Sequence, residues 1–479
     1  MSTSRKRPHP QSRSSSTSSS SPQLRGCSPS IPAQQWPAST EALEAARSFL
    51  KECVSMHLPT LLVPDKDADG LCGGLIVYRT LVHMGLSPSL IAVHFVKKGS
   101  NIHEAEEGRV MEKYGARYAV VIDQGSRSGP RLIGGDTKTL VVDHHWSEEF
   151  PEGATVLSSA KFPPIATSST LAYTLCLPLL ASGATGSSGA KSEAPMRETI
   201  TQLEYLCVMG TMGDLGTSFR WELPFPDMQD CLKRCTKKAL GEAVSLINAP
   251  RRTSKYDIET AWSALLGISS PKDFMVTARA FPPLSSSTLQ HVKRLHEARA
   301  DVRAETEHCS HSAPSFSGDG KVALIRISSA AQVHPLIATR WAGTLKSARL
   351  QIVMCANDGY LEGQNMTNFS CRTARGNIPK KNGCNQKTEE NVDIIALLKS
   401  YAAQVPGLRE SMGENFARGH KEASGGIVRT EDFERLWAVM LNSKDPQVGE
   451  SPNKKRKVSG KRKDMPKQSN TLESWVRRE

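Results

Sequence analysis

The chain has 479 residues, 38% of them hydrophobic, and a formal net charge of +13. It is long enough for two or three domains with full cores. Its charge sits at the ends, with five Lys/Arg and no acid in residues 1–35, ten Lys/Arg against four acids in 450–479, and only about +2 between. A core so nearly neutral does not bind nucleic acid by bulk charge, so any such recognition needs a local groove. No apolar run reaches the roughly 18 residues of a membrane span, and no signal-peptide pattern opens the chain. Eleven cysteines without a Cys-x-x-Cys suit a reducing compartment.

Residues 1–38 are rich in Ser and Pro and poor in large apolar side chains, the composition of a disordered tail. Thr40 to Leu50, opened by Ser39, reads as a capped amphipathic helix. Strand-like apolar runs come next at Thr60–Val63, Leu90–Phe95, Ala119–Ile122 and Leu140–Val142, with a helix expected over Leu71 to Met84. This alternation predicts an α/β fold with a parallel sheet. Residues 181–195 are Gly/Ser/Ala-rich and read as a flexible loop. Residues 236–310 have a helical pattern and read as a linker between two domains, 39–235 and 311–443. The second α/β pattern contains a strand at Lys321–Ile327, a helix from Pro335 and a strand at Leu350–Met354. It continues with a polar insertion at 375–390 holding Lys380 and Lys381, and a last helix at Asp432–Leu441. From 444 the chain is polar and basic, a second disordered tail.

The chemistry lies directly after the strand-like runs. Asp65-Lys66-Asp67-Ala68-Asp69-Gly70 comes after the first, Asp123-Gln124-Gly125 after the third, and Asp143-His144-His145 after the fourth, with Gly213-Asp214 further on. Groups at the carboxyl ends of neighbouring parallel strands converge on one crevice. Carboxylate oxygens with imidazole nitrogens, in this number, suit two divalent cations. An EF-hand calcium loop is the other reading of the first motif. Its twelfth position, counted from Asp65, is Ile76 rather than the bidentate Glu such loops require.

The order of these four motifs resembles the DHH phosphoesterase superfamily. Phe369-Ser370-Cys371-Arg372 resembles its Ser-x-Arg element. Arg418-Gly419-His420-Lys421-Glu422-Ala423-Ser424-Gly425-Gly426 resembles its Gly-Gly-His element, with Arg418 in place of one glycine. Together they are similar to the DHHA1 substrate-binding domain, and the likeness spans roughly residues 45 to 440. Within the superfamily the chain looks closest to RecJ-like nucleases and short-oligonucleotide phosphodiesterases.

The resemblance implies a two-domain protein, with an N-terminal DHH domain on a parallel sheet and a C-terminal α/β DHHA1 domain. It implies two Mn²⁺ (or Mg²⁺) ions per active site that activate a bridging water. Asp123 would bridge them, Asp67 would hold one, and Asp69, His144 and Asp214 the other. His145 would reach the scissile phosphate or complete a metal shell, and Asp143 would orient an imidazole. Asp65 either ligates or shapes its loop. In the second domain Arg372 and His420, with Gly419, Gly425 and Gly426, would bind substrate phosphate. His334 either faces the substrate or caps a helix, and Ser168-Ser169-Thr170 reads as a helix N-cap whose amides could also hold a phosphate.

The substrate class implied is single-stranded DNA or RNA, or short oligonucleotides. The alternatives are a small-molecule phosphatase (bisphosphonucleotide, pyrophosphate or polyphosphate) and a non-catalytic replication scaffold. Lys454 to Lys463 resembles a nuclear localisation signal, implying an import receptor as partner and a nuclear location. Gln468 to Val476 resembles a peptide that binds the sliding clamp (PCNA), with Leu472 and Trp475 as anchors. Gln468 lies one residue too far from Leu472 for that pattern, and Val476 replaces its second aromatic.

Overall fold

The Ser39 hydroxyl accepts from Ala42 N, capping helix α1 (Thr40–Met56). The structure is a computed structural model and describes residues 35–182, 193–275, 284–345, 347, 349–374, 392–413 and 415–443. The import signal, the clamp-like peptide, the 375–390 insertion and most of the 181–195 loop lie outside these residues. Residues 35–38, assigned above to the tail, belong to the fold. Ala38 is buried, the Trp36 indole donates to Pro164 O at 2.7 Å, and its ring packs edge-on against Phe225. Trp36 ends the Ser-rich composition and brings enough apolar surface to be worth burying.

The chain divides into two units, 1–304 and 305–479. In the first, α1 is followed by β1 (Thr60–Pro64), α2 (Ala68–His83), β2 (Ile91–Val93), α3 (Ala105–Glu112), β3 (Tyr118–Ile122), β4 (Lys138–Asp143) and β5 (Ala154–Ser158). The five strands form one parallel sheet in the order β2-β1-β3-β4-β5. Strand side chains alternate between faces. Leu62, Val120, Ile122 and Val142 therefore enter one core, while Leu61, Val63, Ala119, Val121 and Val141 enter another with Met111 and Ile133. Both faces are covered, which is why these strands read as unbroken apolar runs. β5 escapes the apolar pattern, because Ala154-Thr155-Val156-Leu157-Ser158 is short and only Leu157 is buried.

Helices α4 (Ser168–Ser182), α5 (Glu193–Leu215), α6 (Gln229–Cys235), α7 (Lys237–Ile247), α8 (Ile258–Gly267) and α9 (Ser286–Cys309) complete the unit. The linker assignment needs correction. Leu240, Ala243, Leu246 and Ile247 of α7, Ala261, Trp262 and Leu265 of α8, and Val292 and Leu295 of α9 are buried in the first unit's main core. Their helical spacing signals an apolar face packed on the sheet's helices. Only the last residues of α9 belong to the second unit.

The second unit has β6 (Ser315–Phe316), β7 (Val322–Ile327), α10 (His334–Thr344), β8 (Ile352–Asn357), β9 (Met366–Thr373), α11 (Ile394–Ala402), α12 (Leu408–Ser411), β10 (Arg418–His420), β11 (Ala423–Arg429) and α13 (Thr430–Asn442). Its mixed sheet has the order β10-β11-β9-β8-β7-β6, with only β7 and β8 parallel. Val322, Met354, Phe369, Leu398 and Phe433 are among its core residues.

Candidate metal centre

The order β2-β1-β3 reverses direction at β1, and the topological switch point of an open α/β sheet is where ligands collect. Pro64 stands opposite Ile122, and Ile122 opposite Val142. The loops leaving these strands must therefore emerge at one edge. The ladder extends one step past the strands, with Asp65 N donating to Ile122 O and Asp123 N to Val142 O, both at 2.9 Å. Asp123 leaves the sheet at φ 64°, a left-handed conformation uncommon for a residue with a side chain and concentrated at functional sites.

Asp67 does not sit in an open loop. It is the N-cap of α2, accepting from Asp69 N and Gly70 N at 3.2 and 3.3 Å, so Asp69 and Gly70 form the helix's first turn. Gly70 is required by close approach, because a Cβ there would lie 2.6 Å from the Asp65 carbonyl oxygen. Gly213 plays the same part between helices, where a Cβ would come within 2.8 Å of Ala68 Cβ. This contact holds the end of α5 against the start of α2. Asp214 thereby approaches His144, its Oδ2 standing 3.4 Å from Nε2.

The donor atoms form three groups, each with atoms within 4.8 Å of one another: Asp65, Asp67 and Asp123; Asp69, His144 and Asp214; Asp123, His144 and His145. All eight first-unit aspartates and histidines singled out in the sequence are thus at this edge, Asp143 joining through His145. Asp143 is buried. It accepts from Ser126 N at 3.0 Å and His145 N at 3.2 Å, and its Oδ1 lies 2.8 Å from His145 Nδ1.

The electrostatics are those of an anionic cluster short of cations. Burial, then the charges of Asp69, Asp67, Asp214 and Asp143, push the Asp123 carboxyl well above its ordinary range. Asp214, its side chain 26% exposed, is pushed upward by its partial burial and by Asp69 and Asp67, despite His144 and Arg251. For His144, burial opposes the charged form. The hydrogen bond to Asp69 and the charges of Asp69, Asp214 and Asp143 outweigh it and raise the imidazole to about 9. Asp69 and Asp143 are held low against burial, chiefly by His144 and His145 respectively, with help from Ser169 and Ser126.

Several positioning groups escaped the sequence reading or were only half seen. Ser168 N and Ser169 N, at the start of α4, donate to the two oxygens of Asp69 at 2.6 and 3.0 Å, and Ser168 Oγ donates to Asp123 Oδ1 at 2.8 Å. The α4 amides therefore grip a carboxylate of the centre, as a helix N-terminus favours. Asn248 Oδ1 accepts from Ala68 N and from Arg251 Nε, each at 3.2 Å, and Arg251 Nη2 lies 3.8 Å from Asp67 Oδ2. Asn248 and Arg251 lie in the stretch read as a linker and have no local motif, so nothing in the sequence marked them. Lys66 pairs with Asp65 at 3.1 Å, and the Asp65 charge raises its ammonium pKa against burial.

In the second unit Arg372 lies on β9. Its Nη1 donates to Ser370 Oγ at 2.7 Å and to Cys371 O at 2.8 Å, and burial lowers its pKa. No carboxylate among the described residues pairs with it, an unusual state for a partly buried guanidinium. His334 is buried beside it. Burial and the Arg372 charge bring its pKa down to about 3, against a hydrogen bond to Asn368, and its Nδ1 has no partner among the described residues. It does not cap α10, whose N-cap is Val333 with no side-chain bond.

Gly425 and Gly426 lie inside β11, which pairs with β9 on one side and, at Gly425, with β10 on the other. A Cβ at either would strike a carbonyl oxygen, that of Phe369 or Asn415, so these glycines serve close backbone packing. Gly419, at φ 107°, lies in the short β10. The register aligns His420 with Ala423 and Ala423 with Arg372, one row across three strands.

No protein-family model matches the chain, and no curated protein matches it. Solved structures do. RecJ in complex with Mn²⁺ from Thermus thermophilus superposes with a TM-score of 0.54 and 17% identity, over 85% of this chain and 55% of that one. The exonuclease RecJ bound to manganese gives 0.52 and 16%, over 85% and 96%. The chain thus spans little more than half of the Thermus protein's length. The fold it shares with these RecJ structures is a parallel-sheet unit followed by a mixed-sheet unit.

Proposed function

We propose that the chain is a divalent-metal-dependent phosphodiesterase of the DHH type, hydrolysing single-stranded nucleic acid or short oligonucleotides. One observation carries this reading: five aspartates and two histidines meet at the switch point of the sheet, more carboxylate than the neighbouring cations can balance. The donor set fits two divalent cations. Its oxygens are hard and its imidazoles borderline, and Asp123 and Asp214 resist ionisation until positive charge is supplied. Asp67 and Asp123, with Asp65 in reach, would hold one ion, and Asp69, His144 and Asp214 the other, with Asp123 between. Mn²⁺ is the first choice, since the RecJ structures similar in fold contain it, and Mg²⁺ the second. Bound there, such ions would supply an acidified water and offset charge on the phosphoryl oxygens.

The chain's own residues do the rest. Asp143 fixes the ring of His145 through Nδ1, which directs Nε2 to a substrate oxygen. Ser168 and Ser169 hold Asp123 and Asp69 in position. Arg372 offers a planar fork to a phosphate, and the backbone row through Ala423 aligns His420 with it. End-labelled DNA and RNA oligonucleotides of several lengths, incubated with Mn²⁺ or Mg²⁺ and resolved by size, test the reading. Metal-dependent shortening is expected. Release of inorganic phosphate from a bisphosphonucleotide, with oligonucleotides left intact, would favour the small-molecule reading instead.

The tails support a nuclear role: Lys454 to Lys463 for an import receptor, and Leu472 with Trp475 for a sliding clamp. A peptide covering 467–479 should bind the clamp with micromolar affinity, and its Leu472→Ala/Trp475→Ala form should not.

A further inference from the structure

The β4–β5 loop leaves the metal centre with its largest apolar side chain in solvent. Trp146 comes directly after His145, so their Cα atoms are about 3.8 Å apart, and it is 66% exposed. An indole of this size normally contributes to a core, and the preceding strand is fully buried at Leu140, Val141 and Val142. The exposed ring is also steadied. Lys161, between β5 and α4, places Nζ over it at 5.9 Å from the centroid, a cation–π contact. The segment bearing Lys161 leads into α4, whose first amides hold Asp69. Leu215, next to Asp214, and Ile165, shortly before Ser168, are exposed as well. Exposed large apolar residues thus adjoin or lie within three positions of site residues along the chain at three places.

We propose that Trp146 is a stacking platform for a nucleobase of the substrate, beside the phosphate taken up at the metal centre; this rests on the oligonucleotide reading above. A flat, exposed indole matches the flat face that every base presents, so it grips without reading sequence. A base within a duplex is already stacked on its neighbours, so the platform accepts only unpaired nucleotides. That gives a physical reason for the single-stranded preference, beyond electrostatics.

The test compares the parent with Trp146→Ala and Trp146→Phe. Each is given a short single-stranded oligonucleotide and the same oligonucleotide with abasic residues flanking the scissile bond, all in Mn²⁺. Thermal melting checks that the exposed substitution leaves the fold intact. The expected result is a loss in kcat/KM of about tenfold for Trp146→Ala on the base-bearing substrate, mainly through KM. Little change is expected on the abasic one, and substantial retention by Trp146→Phe. Equal losses on both substrates, or no loss on either, overturn the stacking role while leaving the phosphodiesterase reading in place. If the parent hydrolyses neither substrate, the oligonucleotide reading itself falls, and this proposal with it.

Discussion

In the first unit, the clustered carboxylates outnumber the cations that touch them; in the second, Arg372 is a partly buried cation with no carboxylate partner among the described residues. The two sheets produce these opposite imbalances differently. The parallel sheet delivers acids from three strand ends to one edge, and the start of α2 and the end of α5 add Asp69 and Asp214. The mixed sheet sets Arg372 mid-ladder, beside a histidine that burial and the Arg372 charge keep neutral. A protein alone gains nothing from either arrangement. The proposed function accounts for each by something to be bound, cations at the first and an anion at the second.

Breaking the anionic side should have the largest effect. Asp123→Ala removes the carboxylate common to two of the three donor groups, and hydrolysis of an oligonucleotide should fall by at least about a thousandfold at saturating Mn²⁺. Activity within about threefold of the parent would show that the cluster is not the reaction centre. Breaking the cationic side is the next largest. Arg372→Ala should weaken substrate binding about tenfold to a hundredfold, the worth of a charge-assisted hydrogen bond, while Mn²⁺ affinity stays unchanged. Arg372→Lys should recover little, because the fork geometry is lost. Equal affinity in all three proteins would remove the phosphate contact from the account.

Positioning groups should count for less. Ser168→Ala deletes the hydroxyl that donates to Asp123, and Mn²⁺ affinity should drop by about tenfold, read by titration. The smallest effect concerns His334. Its folded pKa, about 3, lies below the ordinary value near 6.5. Below that ordinary value the unfolded chain binds the extra proton, so the stability this neutral ring contributes is complete above about pH 6.5 and is lost as pH falls toward 3. Thermal midpoints of the parent should therefore decline more steeply from about pH 7 to about pH 4 than those of His334→Gln. Parallel curves would mean that His334 is not held neutral by burial and Arg372.

How much of this was legible in the sequence differs between the same two regions. Asp65, Asp123 and Asp143 each stand at the end of a buried strand, and a doubly covered strand leaves an unbroken apolar run, so chain order alone placed them at one edge. Asp67 was legible as a member of the centre but not as the N-cap of α2, since a capping aspartate and a loop aspartate look alike before a helix boundary is known. Asn248 and Arg251 were invisible because their partners, Ala68 and Asp67, are distant in sequence. That Gly425 and Gly426 lie in a strand was not legible, because glycine is a poor strand former. Only the pairing of β11 with β9 and β10, a tertiary fact, makes that strand. The linker assignment failed for a related reason, because helical spacing in α7 and α8 marks an apolar face without saying what covers it.

The first imbalance is the proposed metal centre's, and a Mn²⁺ titration of the full chain at neutral pH tests it without requiring turnover. Two ions per chain are expected for the parent, and the paired binding should be lost in Asp123→Ala. A parent that binds no Mn²⁺, or an Asp123→Ala variant that binds two ions as tightly as the parent, would contradict the two-cation centre.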